Sequence, residues 1–222
     1  MNTLLGGYPM ALMRDLTASY LIGEMIDKIE GVAYTDIATD RGGKTKFGVI
    51  EATYNSYKHL WAKHNYNGIV KDAPRSLAEE IYLIGFWNKI SGEQIRIHNP
   101  ALAAILFSIG VNSAPSRGGI LLQRALNVLN RNQKDYPDVK VDGDVGRNTL
   151  NALQAYRDKR GWRGMMILTN TVLSLMGARY VDISEADVSQ EDFTNGWEER
   201  TFALVEKYVP MMLAVRNPFK EW

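Results

Sequence analysis

Apolar residues recur at helical spacing over most of this chain. Leu21, Ile22, Met25, Ile26 and Ile29 share one face ahead of Glu30, and Asp15 or Thr17 can cap the start, so a first helix is predicted from there to Glu30. The period is lost between Val32 and Val49, where glycines interrupt Tyr, Thr, Phe and Val residues, and the stretch reads as a small irregular hairpin. Helical spacing returns over Glu51 to His64. Its row of Tyr54, Tyr57 and Trp61, with Tyr66 nearby, is read as core before it is read as a shelf for a ring-shaped ligand. Ser76 followed by Glu79 has the spacing of a capping box ahead of Ile81, Ile84 and Trp87.

The second half is patterned in the same way. Asn99-Pro100 opens a helix, and Leu102 to Ile109 is apolar nearly all round, as a buried central helix ending at Gly110 requires. Ile120 to Leu129 is amphipathic, with Leu121, Leu122, Ala125, Leu126 and Leu129 turned inward. The polar run Asn130 to Val141, with Pro137, is read as an insertion or hinge. A turn at Asp142-Gly143-Asp144 leads into a helix with Thr149 in its first turn and Arg157, Lys159 and Arg160 at its end before Gly161. Two more helices are predicted, over Trp162–Tyr180 and Asp192–Val215, with Pro210 kinking or ending the last. The sum is about seven helices and one small hairpin, a mainly α or α-rich α+β fold.

Composition narrows the chemistry. The balance of 26 Lys+Arg against 25 Asp+Glu gives no broad basic face for nucleic acid, and the absence of cysteine removes disulfides, thiol nucleophiles and cysteine zinc sites. His59, His64 and His98 match no metal spacing. Asp142-Gly143-Asp144 does not begin a calcium loop, because the position that would need a glutamate holds Leu153. No metal or other cofactor is expected. The apolar pieces of residues 1–14 are short and broken by Gly6-Gly7 and Pro9, so these residues are read as a leader or flexible N-terminus, neither a cleavable signal peptide nor a membrane anchor, with Met10 or Met13 as alternative starts.

What remains is a pair of carboxylates. Glu30 closes an amphipathic helix beside apolar neighbours, where desolvation raises a carboxyl pKa and suits it to donate a proton. Asp40, in the glycine-rich stretch Asp40-Arg41-Gly42-Gly43, would stay ionised, and Thr45 beyond the glycines offers a hydroxyl for a water. Cleavage of a glycosidic bond needs such a set: an acid for the leaving oxygen, and a second group to activate water or steady an oxocarbenium-like transition state. The plain alternative is a solvated last-turn glutamate and an ordinary turn.

A resemblance weighs against that alternative. Glu30-Gly31, Tyr34 and the run Asp40-Arg41-Gly42-Gly43-Lys44-Thr45-Lys46-Phe47-Gly48 resemble the signature of glycoside hydrolase family 108, N-acetylmuramidases of phage endolysins and bacterial secretion systems. Ile81-Tyr82 with Phe86-Trp87, and Val111-Asn112-Ser113-Ala114-Pro115, are similar to further family segments. Leu122-Gln123-Arg124-Ala125-Leu126, Val141 to Thr149 and Phe193 to Arg200 resemble the signatures of its associated C-terminal peptidoglycan-binding segment. Two departures stand out: Glu30-Gly31-Val32-Ala33-Tyr34 is one residue longer than the usual Glu-Gly-Gly-Tyr, and Phe107-Ser108 replaces a common Phe-Asp.

The resemblance implies a lysozyme-like fold with the hairpin beside an active-site cleft. It divides the chain into a catalytic segment at 15–105 and a peptidoglycan-binding-like helical segment at 106–222, expected to pack as one body. It implies hydrolysis of the β-1,4 bond between N-acetylmuramic acid and N-acetylglucosamine, with Glu30 as acid, Asp40 as base or electrostatic partner, Asp36 second in that role, and Thr45 positioning water. Tyr34, Asp36, Tyr82, Trp87 and Asn112 are the candidates for lining the sugar sites. The expected partner is peptidoglycan, without nucleic acid or stable membrane insertion, and the expected state a monomer. An endolysin would be made in the host cytoplasm and released to the periplasm. The competing classes are a wall-binding or virion structural protein that has lost the chemistry, and a lytic transglycosylase.

Overall fold

The computed structural model describes residues 16–36 and 43–214. Among the described residues, eight α-helices and a single two-stranded sheet make the fold mainly α. The described residues form two compact units, one of Thr17–Asn88 and the other of 89–214 with Leu16.

In the first unit, helix α1 (Ala18–Glu24) is capped by Thr17, whose side chain accepts from the Tyr20 amide, and continues as a wider π-helical turn over Met25–Glu30. Leu21, Ile22, Met25 and Ile26 are its buried face. Strands β1 (Thr45–Lys46) and β2 (Val49–Ile50) pair antiparallel, and Thr35 adds an isolated bridge to Thr45. The predicted helix after them is true α only over α2 (Glu51–Ser56); shorter 3-10 turns carry the chain to His64. The aromatic row behaves as core: Tyr54 and Tyr66 are buried, and Trp61 meets Tyr66 edge-on at 4.9 Å.

Helix α3 (Arg75–Tyr82) runs into a second π turn, Leu83–Trp87. The predicted capping box is absent. The extended Pro74 stands at the N-cap, Ser76 lies inside the helix, and its hydroxyl contacts His64 Nδ1 at 2.8 Å.

The second unit is built round α5 (Pro100–Asn112), whose residues from Ala101 to Gly110 are all buried. Asn99 caps it as predicted, accepting from the Leu102 amide at 3.1 Å, and the helix runs two residues past the expected end at Gly110. Helices α4 (Gly92–His98), α6 (Arg117–Leu129) and α8 (Glu191–Ala214) pack on α5, while α7 (Arg147–Ala186) packs on α6 and α8. Within α7, Gly161 leaves helical geometry (φ 58, ψ −158), so the expected helix end is a break with no loop. Pro210 neither ends α8 nor prevents it from reaching Ala214. No helix among the described residues is long and apolar enough to cross a membrane.

The polar run 130–141 is not a hinge. The Asn127 side chain bonds both the N–H and the C=O of Val139 at 2.8 Å, and Tyr136 donates to the Leu126 carbonyl. These bonds fasten the run to the end of α6.

Candidate active site

Glu30 is the last residue of the π turn and is half-buried. A π turn carries one more residue than an α turn in the same span, so it rotates the residues after it relative to the buried face; such turns recur at functional sites. Arg75 anchors this one: it pairs with Asp27 inside the turn, one nitrogen at 3.0 Å, and with Glu79 on its own helix at 2.7 Å. Hydrogen bonding to Arg75 holds the Asp27 carboxyl below its usual range. Directly after Glu30, Gly31 has φ 81 and ψ 159, a region essentially reserved for glycine, and the chain leaves the helix at once. Val32, in the longer linker to Tyr34, is exposed.

The hairpin reaches Glu30 through Gly48. Phe47 (φ 54) and Gly48 (φ 71) form a two-residue turn with both φ values positive, the geometry that matches strand twist in tight hairpins. A β-carbon on Gly48 would lie 2.6 Å from the Tyr82 hydroxyl and 2.7 Å from Glu30 Cγ. Backbone, carboxylate stem and phenol therefore converge where only glycine fits. Tyr82, itself buried, donates to the Phe47 carbonyl at 3.1 Å, which ties α3 to the same turn. Burial, and then the nearby Glu30 charge, push the Tyr82 pKa far up, so this phenol stays a neutral donor.

Around this core the other predicted residues take varied places. Thr45, on β1, donates to the Gly43 carbonyl at 3.0 Å, which leaves its oxygen as an acceptor. Tyr34 donates to Asp36 at 3.2 Å; burial, and then the Asp36 carboxylate, raise its pKa. Asp36 is exposed, and Thr35 between them is bridged to Thr45, so Tyr34 and Asp36 flank an isolated bridge to the strand that carries Thr45. Trp87 is an interior side chain at 2% exposure, in the second π turn. Asn112 belongs to the other unit, at the end of α5, where it accepts from Arg200 at 2.6 Å and donates to Ser108 at 3.3 Å. Asp40 lies outside the described residues.

Residues 24–114 match the family described as glycosyl hydrolase 108. That segment of the chain belongs to the family. Residues 117–202 match a second family, described as predicted peptidoglycan domain. The solved structure of Brucella abortus SagA is similar in fold, with a TM-score of 0.57 at 20% identity, over 90% of this chain and 95% of that one. No curated protein matches the chain significantly. The first match makes this a glycoside hydrolase, and the second supports peptidoglycan as its substrate or partner.

Two features of the hydrolase's site escaped the sequence reading. Gly48 had a legible signal, since Phe47-Gly48 sits between two short β-prone pairs. The grip of Arg75 on Asp27 had none, because the two residues meet only after α3 has docked on α1.

Proposed function

We propose that this enzyme is an N-acetylmuramidase that cleaves the β-1,4 bond between N-acetylmuramic acid and N-acetylglucosamine, with Glu30 as general acid. The observation that carries the reading is the place of Glu30: a half-buried carboxylate ending a π turn, its stem held against Gly48 and the Tyr82 hydroxyl. An acid in that position protonates the glycosidic oxygen as the bond breaks, leaving an oxocarbenium-like sugar to be captured by water. Asp40 is the first candidate to activate that water or steady the charge and Asp36 the second, with the Thr45 oxygen orienting the water or substrate. Tyr34 and Asp36 would line the sugar sites, and Tyr82 would contribute through its hydroxyl. The biological setting we infer is a phage endolysin, made in the host cytoplasm and reaching the periplasm after release.

The test is mass analysis of muropeptides released from purified peptidoglycan. Reducing muramic ends are expected. Anhydro-muramic ends would make the enzyme a transglycosylase, and reducing glucosamine ends would place the cut at the other bond of the strand.

A further inference from the structure

The positive charge of the second unit is neutralised in one place and not in another. Beside the 130–141 loop, Asp135 takes Arg160 at 2.7 Å and Arg131 at 3.7 Å, so those cations are matched. On α6, Arg117 and Arg124 stand two helical turns apart on one face, and Arg179 on α7 comes near enough to Arg117 for its charge to act there. No carboxylate among the described residues forms an ion pair with any of the three. The Nε–H groups of Arg117 and Arg179 are buried with no acceptor among the described residues. Burial, and then the Arg179 and Arg124 guanidinium groups, push the Arg117 pKa below the usual arginine value. Like charges gathered round orphaned donors are an unfinished anion site, because buried polar groups otherwise find partners.

We propose that Arg117, Arg124 and Arg179 bind a carboxylate of the peptide stem of peptidoglycan, an inference that rests on peptidoglycan being the substrate as proposed above. All three arginines fall within the 117–202 segment matched to the predicted peptidoglycan domain. The N-acetylated sugars of the glycan offer few charges, whereas the stem peptides carry free carboxylates, and the planar guanidinium fork fits a carboxylate with two parallel bonds. Next to Arg179, Tyr180 stacks on Trp197 at 5.3 Å and Trp197 on Phe193 at 6.1 Å. Phe193 is 55% exposed, which leaves an apolar shelf for alanyl methyl groups.

The experiment titrates the full chain with free L-alanyl-γ-D-glutamyl-diaminopimelyl-D-alanine, with the same peptide converted to carboxamides, and with inorganic phosphate. Calorimetry on the wild type is compared with Arg117→Gln, Arg179→Gln and the exposed Arg124→Gln, which covers failure of the two more buried variants to fold. Expected are binding of the free peptide, a loss of roughly tenfold or more in each variant for one charge-assisted contact removed, and a similar loss on amidation. Equal affinity in wild type and variants, no binding to the wild type, or tighter binding of phosphate at these arginines would overturn the proposal. Hydrolysis of peptide-free glycan by the same preparations reads the hydrolase assignment separately and is expected to be unchanged in the variants.

Discussion

At the scale of single residues, the site depends on how closely backbone approaches Glu30. Gly48 has a positive φ and no room for a side chain between Glu30 and Tyr82. Gly48→Ala is therefore expected to destabilise the protein by about 1–3 kcal/mol, from left-handed backbone strain and overpacking, and to lower the hydrolytic rate by displacing Glu30, the proposed acid. Urea denaturation and peptidoglycan turnover check the two halves of that statement; an alanine variant with wild-type stability and rate would remove Gly48 from the site. Tyr82→Phe deletes the bond to the Phe47 carbonyl. About 1 kcal/mol of stability is expected to go with it, together with a fall in rate that leaves the fold intact by circular dichroism.

At the scale of elements, what could be read from sequence was what local chemistry decides. Thr17 caps α1 and Asn99 caps α5 because a short polar side chain before an apolar run has few other uses. Ser76 misled because Pro74 already gave the chain its extended entry and His64 took the hydroxyl. The π turns at Met25–Glu30 and Leu83–Trp87 were not legible: one residue more or less per turn is chosen by tertiary contacts, such as Arg75 on Asp27, that periodicity does not report. Gln123 shows the same division. The segments round Gln123 and from Val141 to Thr149 could each be recognised, but not that they meet: buried Gln123 donates to Asp142, the Asp144 carbonyl and Thr149, and accepts from the amides of Asp142 and Gly143. Gln123→Leu is expected to cost roughly 2–4 kcal/mol by orphaning those groups, measured by thermal or urea unfolding. A cost below about 1 kcal/mol would mean that the turn keeps itself together.

For the whole molecule, the mainly helical fold with one hairpin was legible, because apolar spacing persists through nearly every segment. The cluster of Arg117, Arg124 and Arg179 was not, since α6 and α7 must pack before it exists. The titrating groups also give a global expectation. His98 is held below its ordinary pKa of 6.5 by burial and then by Arg157. Glu80 and Glu93 are held below theirs by hydrogen bonds, to Lys63 and to Arg96 respectively. A depressed group of either kind binds protons more readily when unfolded, so its contribution is complete above its unfolded pKa and is lost as pH falls through the folded one. Stability is expected to decline below about pH 6.5 through His98, and further in the carboxylate range. His98→Gln should flatten the first part of that decline in unfolding curves taken across pH; a variant with the wild-type slope there would take His98 out of the account.

Whether Glu30 is the proton donor is decided by the turnover of purified peptidoglycan by the wild type beside Glu30→Gln. The amide keeps the shape against Gly48 and Tyr82 and removes the transferable proton. The variant is expected to fold correctly, with its rate down by about a hundredfold or more. A Glu30→Gln variant that releases muropeptides at the wild-type rate would contradict that role and place the acid elsewhere in the chain.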